Sequence, residues 1–155
     1  MVVSVSLYLV QHGQAKSKTE DPERPLTDQV VDEVARVAHQ AVDVAGVRPT
    51  RVVHSGKTRA RQTAEVWAGL LGVGVEEADG LAPNDDPRNW AGRLGLCSDD
   101  LLLVGHLPHL GNLAGLLVMG RPDAPVVRFR PGGLVGLDQV DTGWVIWVVV
   151  RPEAI

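Results

Sequence analysis

The sequence has one cysteine, few aromatic residues and no excess of basic residues. Cys97 is the only cysteine, so the chain forms no internal disulfide and no zinc cluster built on several thiolates. A single cysteine is typical of proteins in a reducing compartment. Aromatic residues are 4% of the 155 residues, so the core has to be built from the abundant valine, leucine and alanine.

The acidic balance and the lack of long apolar runs exclude two classes of partner. The formal net charge is -4 at pH 7, whereas proteins that bind nucleic acid or anionic membranes carry a basic surface. No apolar run reaches the roughly 20 residues of a membrane-spanning helix. The apolar start, 1–10, lacks the basic residues and cleavage site of a signal peptide. We therefore expect a cytoplasmic protein that binds neither nucleic acid nor a membrane.

Apolar runs and helical spacing alternate as far as residue 119. Short apolar runs that end in glycine or a polar turn predict buried strands at Val2–Val10, Arg51–His54 and Leu101–Gly105, and a further strand within 72–77. The predicted helices run from the N-cap Thr27 to Gly46, from Lys57 to Leu71, over 90–96 and from Pro108 to Met119. This alternation predicts a sheet of mostly parallel strands.

The C-terminal part of the chain changes to a pattern of strands alone. Strands are predicted at 126–130, 134–140 and 144–150. The turn residues Asp141-Thr142-Gly143 predict that the last two form an antiparallel hairpin. We expect an α/β protein with one domain over residues 1–155, built as a three-layer α/β/α sandwich with a mostly parallel mixed sheet and a C-terminal hairpin.

Three of the predicted strands end in turns that carry histidine, serine or arginine. At the carboxyl ends of strands in an open α/β sheet, such turns line one crevice. The helices that follow add backbone N–H donors and the positive ends of their dipoles, which indicates an anion site. The residues concerned are His12, His54, Ser55, Arg59, Arg61 and His106.

The same three segments resemble the signatures of the histidine phosphatase superfamily. Residues 11–13 (QHG) are similar to its R-H-G motif, 55–63 (SGKTRARQT) to S-x-x-x-R-A-x-Q-T, and 104–109 (VGHLPH) to V-G-H-x-P-x. The segment 24–27 (RPLT) and the short chain resemble the phosphohistidine phosphatases of the SixA type. The resemblance covers the chain from the first strand to about Leu117.

The resemblance implies a phosphatase that needs neither a metal nor another cofactor. His12 would attack phosphorus and form a phosphohistidine intermediate that water hydrolyses. Arg59 and a protonated His106 would hold the charged phosphoryl oxygens, and these three are the implied catalytic residues. The implied phosphoryl-binding residues are Gln11, Gly13, Arg24, Ser55 and Lys57.

Gln11 departs from the superfamily pattern, which has arginine in this position. Glutamine offers N–H donors without a charge, and charge-assisted hydrogen bonds are about twice as strong as neutral ones. The substitution predicts weaker catalysis unless a nearby cation takes the place of the missing guanidinium. The candidates are Lys16, Arg24, Lys57 and Arg61.

Four other residues of reactive types are interpreted as structural. His54 is expected to fill the end of its strand, His39 lies on a predicted helix without a visible partner, and Arg61 is expected on the solvated surface. His109 follows His106 at a spacing of three. No carboxylate or cysteine accompanies that pair in the manner of a zinc site, so no metal site is predicted.

No acidic residue stands where ester-cleaving members of the superfamily carry a general acid. That position falls within 80–83 (GLAP), and the nearest substitutes are Asp79, Asp85 and Asp86. A phosphohistidine leaves as neutral imidazole once its ring is protonated, so it needs less help from an enzyme acid. The pattern therefore favours an N–P substrate over an alcohol phosphate.

Three functions are compatible with these residues. The favoured one is a phosphatase acting on phosphohistidine in a protein, for example a histidine-phosphotransfer domain, or on a small phosphorylated molecule. The second is a non-catalytic module that binds a phosphorylated ligand and has lost turnover through Gln11. The third is a small-molecule phosphate-ester phosphatase that draws its acid from Asp79, Asp85 or Asp86.

Overall fold

The fold is a six-stranded mixed sheet covered by helices on both faces, in a computed structural model that describes residues 5–154. The strands are β1 (Ser6–Gln11), β2 (Arg51–His54), β3 (Val75–Glu77), β4 (Leu101–Gly105), β5 (Leu134–Val140) and β6 (Gly143–Val150). The helices are α1 (Asp28–Asp43), α2 (Thr58–Leu71), α3 (Pro87–Leu94) and α4 (His109–Met119), followed after β6 by a 3-10 turn at Pro152–Ala154.

The strand order is β3-β2-β4-β1-β5-β6. Strands β3, β2, β4 and β1 are parallel, whereas β5 is antiparallel to β1 and forms a hairpin with β6. This arrangement confirms the predicted α/β class, the mostly parallel sheet and the C-terminal hairpin. The first residues of the predicted strand, 2–4, lie outside the described residues.

The two faces of the sheet support separate apolar cores. All five residues of β4 are buried, because helices cover this central strand on both sides. One core lies between the sheet and α1 and α2, and it includes Val10, Val34, Val52, Trp67 and Val104. The other lies between the sheet and α3 and α4, and it includes Leu9, Leu81, Leu103, Leu113 and Phe129. Within residues 5–154, no helix is long and apolar enough to cross a membrane.

Local caps explain where the helices begin and end. The Thr27 side chain accepts a hydrogen bond from the Val30 N–H and starts α1 as predicted. Gly72, at a φ of 72°, ends α2, so β3 starts only at Val75 and is shorter than the predicted strand. The Asp86 carboxylate caps α3, which begins at Pro87 rather than near residue 90.

The predicted strand at 126–130 is wrong. This segment has no regular secondary structure and pairs with no strand among the described residues. Its apolar pattern resembles a strand, but Pro125 and Pro131 bound it and supply no backbone N–H donor for a ladder. The side chain of Phe129 is instead buried in the core under α3 and α4.

Candidate active site

The ends of β1 and β4 bring two of the predicted histidines together. Gln11 pairs in register with Gly105, and the His12 N–H donates to the Gly105 carbonyl at 3.0 Å. The residue after each strand end is therefore placed at the same edge of the sheet. The imidazole rings of His12 and His106 lie 4.9 Å apart between centroids.

The ring of His12 is fixed by a hydrogen bond to its own loop. His12 Nδ1 lies 2.7 Å from the Gly13 carbonyl oxygen. Because a carbonyl only accepts, Nδ1 carries the proton and the neutral ring has its lone pair on Nε2. Burial lowers the pKa of His12; the Gly13 carbonyl opposes this shift, and the charges of Arg59 and Arg24 add to it. A neutral imidazole with a free Nε2 can act as a nucleophile.

Gly13 fastens this loop to the start of α2. Its N–H donates to the Thr63 hydroxyl at 2.9 Å, and that hydroxyl donates to the Arg59 carbonyl at 2.8 Å. A Cβ on Gly13 would lie 2.7 Å from Cγ1 of Val30, so only glycine allows this approach of the loop to α1. The contacts fix the position of His12 relative to the turn that carries Arg59.

Arg59 and Arg24 supply positive charge beside the His12 ring. Arg59 Nε is buried and has no hydrogen-bond partner among residues 5–154. Burial lowers the pKa of Arg59, and the charge of Arg24 adds to the effect. Arg24 adopts a left-handed conformation with a φ of 51°, and its Nε donates to the Lys16 carbonyl at 3.3 Å. Of the cations considered as substitutes for the missing guanidinium, Arg24 acts on both His12 and Arg59.

The ring of His106 is buried and held by Ser55. Its Nε2 lies 2.6 Å from the Ser55 hydroxyl, and its Nδ1 has no partner among the described residues. Burial lowers the pKa of His106 to about 3, and the proximity of His12, Arg59 and Lys57 contributes. His106 is therefore neutral near pH 7 in this structure, whereas the sequence resemblance implied a protonated ring. A neutral ring still donates one hydrogen bond, from whichever nitrogen carries its proton.

The remaining predicted phosphoryl-binding residues lie around the same edge. Gln11 is half-buried at the end of β1, and its Oε1 is buried without a partner in the described part of the chain. Lys57 is exposed at the N-cap of α2, and its positive charge contributes to the lowered pKa of His106. The anionic group of a ligand at this edge would therefore meet the cations Arg24, Arg59 and Lys57 and the neutral amide of Gln11.

Two side chains of the second motif hold the loops but were not singled out from the sequence. Gln62 accepts a hydrogen bond from the Leu26 N–H at 2.8 Å, and Thr63 accepts one from Gly13. The signal for both was present, since the motif 55–63 ends in Q-T. A motif alone does not show which of its side chains contact distant loops.

The three candidate acids make other contacts. The carboxylate of Asp79 pairs with Arg93, and that of Asp85 accepts a hydrogen bond from the backbone N–H of Ala82 at 2.9 Å. Asp86 caps α3. None of the three is among the charges that shift the pKa of His12 or His106.

The other three histidines and Arg61 make no hydrogen bond with His12 or His106 among residues 5–154. His54 is buried at the end of β2 and accepts a hydrogen bond from the Gly56 N–H, as expected for a structural residue. Arg61 is exposed beside Glu65. The interpretation of His39 as unpaired was wrong, since its Nδ1 lies 3.3 Å from a carboxylate oxygen of Asp43 one helical turn away. His109 is fully buried, and residues 5–154 contain no group of three potential metal ligands.

We expect His12 to titrate below its ordinary value of 6.5. A lowered pKa keeps Nε2 unprotonated down to that lower value, so the nucleophilic form is lost only as the pH falls through it. A histidine-specific NMR titration measures this, with the His12 signals identified by their absence in His12→Gln. Nitrogen shifts should place the proton on Nδ1. A pKa at or above 6.5, or a proton on Nε2 of the neutral ring, would contradict the geometry of the Gly13 contact.

Comparison with known proteins shows the family of the chain. Residues 7–85 match the model of the histidine phosphatase superfamily (branch 1). No curated protein sequence matches the chain.

Solved structures that share the fold over nearly the whole chain include the following three. The protein histidine phosphatase SixA, complexed with tungstate, is 24% identical with a TM-score of 0.84, covering 97% of this chain and 99% of that one. The α-ribazole phosphatase of Shigella flexneri is 15% identical at 0.77, covering 96% and 97%. A mutant of the phosphoserine phosphatase of Entamoeba histolytica, in complex with phosphoserine, is 15% identical at 0.74, covering 97% and 99%.

Proposed function

Because the chain belongs to the histidine phosphatase superfamily, branch 1, we propose that it is a metal-independent phosphatase that hydrolyses phosphohistidine in a protein. The observation that carries the proposal is the fixed ring of His12. Its Nδ1–H is held by the Gly13 carbonyl, its Nε2 makes no hydrogen bond within residues 5–154, and the charges of Arg59 and Arg24 help to lower its pKa. A nucleophile beside positive charge is the arrangement that phosphoryl transfer requires.

In the first step, His12 Nε2 attacks the phosphorus of the substrate in line with the departing nitrogen. The new N–P bond forms as the substrate N–P bond breaks, and the substrate imidazole leaves neutral when its other nitrogen carries a proton. His12 becomes a phosphoimidazolium, whose positive ring is stabilised by the Gly13 carbonyl at Nδ1. Arg59 and Arg24 hold the equatorial oxygens, whose charge is greatest in the transition state.

In the second step, water attacks the phosphorus of phosphorylated His12. The N–P bond breaks, the electron pair returns to Nε2, and inorganic phosphate leaves with the oxygen and both hydrogens of the attacking water. Ser55 and His106 are joined by their 2.6 Å hydrogen bond beside the His12 ring. We assign to His106 the donation of a hydrogen bond from Nε2 to a phosphoryl oxygen, for which Nε2 exchanges its contact with Ser55 when the ligand binds, since Nδ1 is buried.

The choice of an N–P substrate follows from the arrangement of the acids. Asp79, Asp85 and Asp86 are engaged with Arg93, with the loop backbone and with the start of α3. An alkoxide leaving group would need one of them to give up that contact and deliver a proton, whereas a protonated imidazole needs none. This supports phosphohistidine over a phosphate ester.

Gln11 favours one alternative, a module that binds a phosphorylated ligand without turnover. It places a neutral amide where the superfamily has a guanidinium, and its Oε1 has no partner within residues 5–154.

One experiment distinguishes the phosphatase from the binding module. A phosphohistidine peptide, phosphoramidate, phosphoserine and p-nitrophenyl phosphate are offered at equal concentration, and phosphate release is measured. The proposal predicts that the two N–P compounds are hydrolysed fastest. Binding of tungstate without release of phosphate from any of the four would favour the binding module.

We expect activity to survive complete removal of divalent cations. The proposed chemistry uses His12, Arg59 and His106, and it draws on none of the oxygen ligands that magnesium catalysis demands. The measurement is phosphate release after prolonged treatment with a chelator, followed by addition of zinc or magnesium. Activity that disappears with the metal and returns with one of these ions would contradict the mechanism.

We expect Gln11→Arg to raise kcat/KM. A charge-assisted donor in place of a neutral one gains on the order of 1 kcal/mol, which corresponds to a rate increase of about fivefold to tenfold. The matched control is Gln11→Met, which keeps the size, removes both polar groups and should lower the rate. A lower rate in Gln11→Arg with unchanged thermal stability would mean that Arg24 already fills the space of the missing guanidinium.

A further inference from the structure

A groove begins one residue beyond His106 and runs along the start of α4. It lies between Leu107–Pro108 on one side and the irregular segment 121–130 on the other, and it holds about 380 Å³. Leu107 is 42% exposed although it is a large apolar residue. The apolar lining includes Leu107, Pro108, Pro122, Pro125, Val127 and Phe129.

The wall of this groove is held tightly against α4. A Cβ on Gly115 would lie 2.5 Å from the Ala124 carbonyl oxygen and 2.7 Å from that of Arg121, so the segment passes directly against the helix at this glycine. The side chains of Ala124 and Phe129 are buried and anchor the segment from both ends of the wall. The groove therefore has a shape set by packing, although the segment that forms it is not a strand.

The groove carries one positive charge that is not neutralised within the described chain. Arg128 lines the groove, is exposed, and has no carboxylate within ion-pair distance among residues 5–154. The one acidic residue of the lining, Asp123, is itself paired with Arg121 at 3.5 Å. A ligand that places an apolar group in the groove and a carboxylate at Arg128 would complement both features.

We propose that this groove binds the stretch of polypeptide next to the phosphohistidine of a protein substrate, and that it selects an apolar side chain accompanied by an acidic one. The inference rests on the proposed function and specifies which side chains flank the phosphohistidine of its protein substrate. The groove is lined from Leu107, the residue that follows His106, so a polypeptide that continues past the phosphohistidine on this side of the site enters the groove under this proposal. A small phosphorylated molecule would leave the groove unused.

The test compares two phosphohistidine peptides and one small N–P compound. The peptides are identical except at the two positions after the phosphohistidine, which are leucine and glutamate in one and alanine and lysine in the other; the small compound is phosphoramidate. The wild-type protein should show a kcat/KM at least about fivefold higher for the Leu-Glu peptide, mainly through KM. Arg128→Glu should reverse this preference. The control is Arg36→Glu, the same charge reversal on the exposed side of α1, and it should keep the wild-type ratio.

Each other outcome overturns the proposal in an identifiable way. Equal kcat/KM for both peptides, with phosphoramidate hydrolysed, overturns the claim that the groove binds the substrate polypeptide and leaves the proposed function intact. No hydrolysis of any of the three compounds overturns the proposed function, and the role of the groove with it. A mass in solution that doubles with concentration in the wild type, but not in Arg128→Glu, would assign the groove to a second copy of the chain instead.

Discussion

His12→Ala is expected to abolish phosphatase activity, lowering kcat on the order of 10⁴-fold or more. The substitution removes the atom that forms the covalent bond, and the hydrogen bond between Ser55 and His106 Nε2 occupies the other two candidate nucleophiles near it. Phosphate release from phosphoramidate or a phosphohistidine peptide measures the loss. Oxoanion binding should persist in the variant, because Arg59 and Arg24 remain.

The fold should survive this change, since His12 lies beyond the end of β1 and is only half-buried. The matched control is His39→Ala, which removes the same side chain from the surface of α1, where it contacts Asp43. This control should keep wild-type activity. A His12→Ala protein with near-native turnover and unchanged thermal stability would rule out His12 as the nucleophile.

Arg59→Ala is expected to lower kcat/KM by about 10²-fold to 10³-fold, the usual cost of losing one donor to a developing oxyanion. The buried Nε of Arg59 has no partner among the described residues, so this guanidinium is free to hold a phosphoryl group. Arg59→Lys should recover part of the loss, because it keeps the charge but not the two-pronged geometry. Steady-state kinetics on phosphoramidate provide the readout.

Arg61→Ala is the control for this prediction, two positions further along α2. Arg61 is exposed and pairs with Glu65 on the surface, an interaction worth about 0.2–1 kcal/mol at most. It should change kcat/KM by less than about twofold. Equal losses in Arg59→Ala and Arg61→Ala would mean that general charge, rather than a specific contact, draws the substrate to this edge.

Local patterns were sufficient to predict most of the fold. The N-cap Thr27, the apolar run of β4 and the turn before Gly143 each act through neighbouring residues, so the sequence contains what is needed. The strand prediction for 126–130 failed because packing against distant parts of the chain decides the conformation of this segment. Its apolar side chains pack under α3 and α4 instead of pairing with a strand, and periodicity cannot distinguish these two uses of apolar residues.

The candidate site was also predictable from the sequence only in part. Strand ends and motifs predicted His12, Arg59 and His106 as site residues, and the structure brings the two histidines to one edge of the sheet. Arg24 was one of four candidate cations in the sequence and could not be selected from it, because a left-handed residue in a polar loop brings its charge to His12. The neutral state of His106 also needed the structure, since burial, which no motif expresses, is the main cause of its lowered pKa.

The central claim is that His12 carries the phosphoryl group during turnover. The most direct measurement mixes the protein with phosphoramidate, stops the reaction in base, where phosphohistidine is retained, and maps the modified peptide by mass spectrometry. The account predicts one added phosphoryl group on the peptide that contains His12, present in the wild type and absent in His12→Ala. Phosphate release without any labelled His12 peptide, or a label on His106 or Ser55, would contradict it.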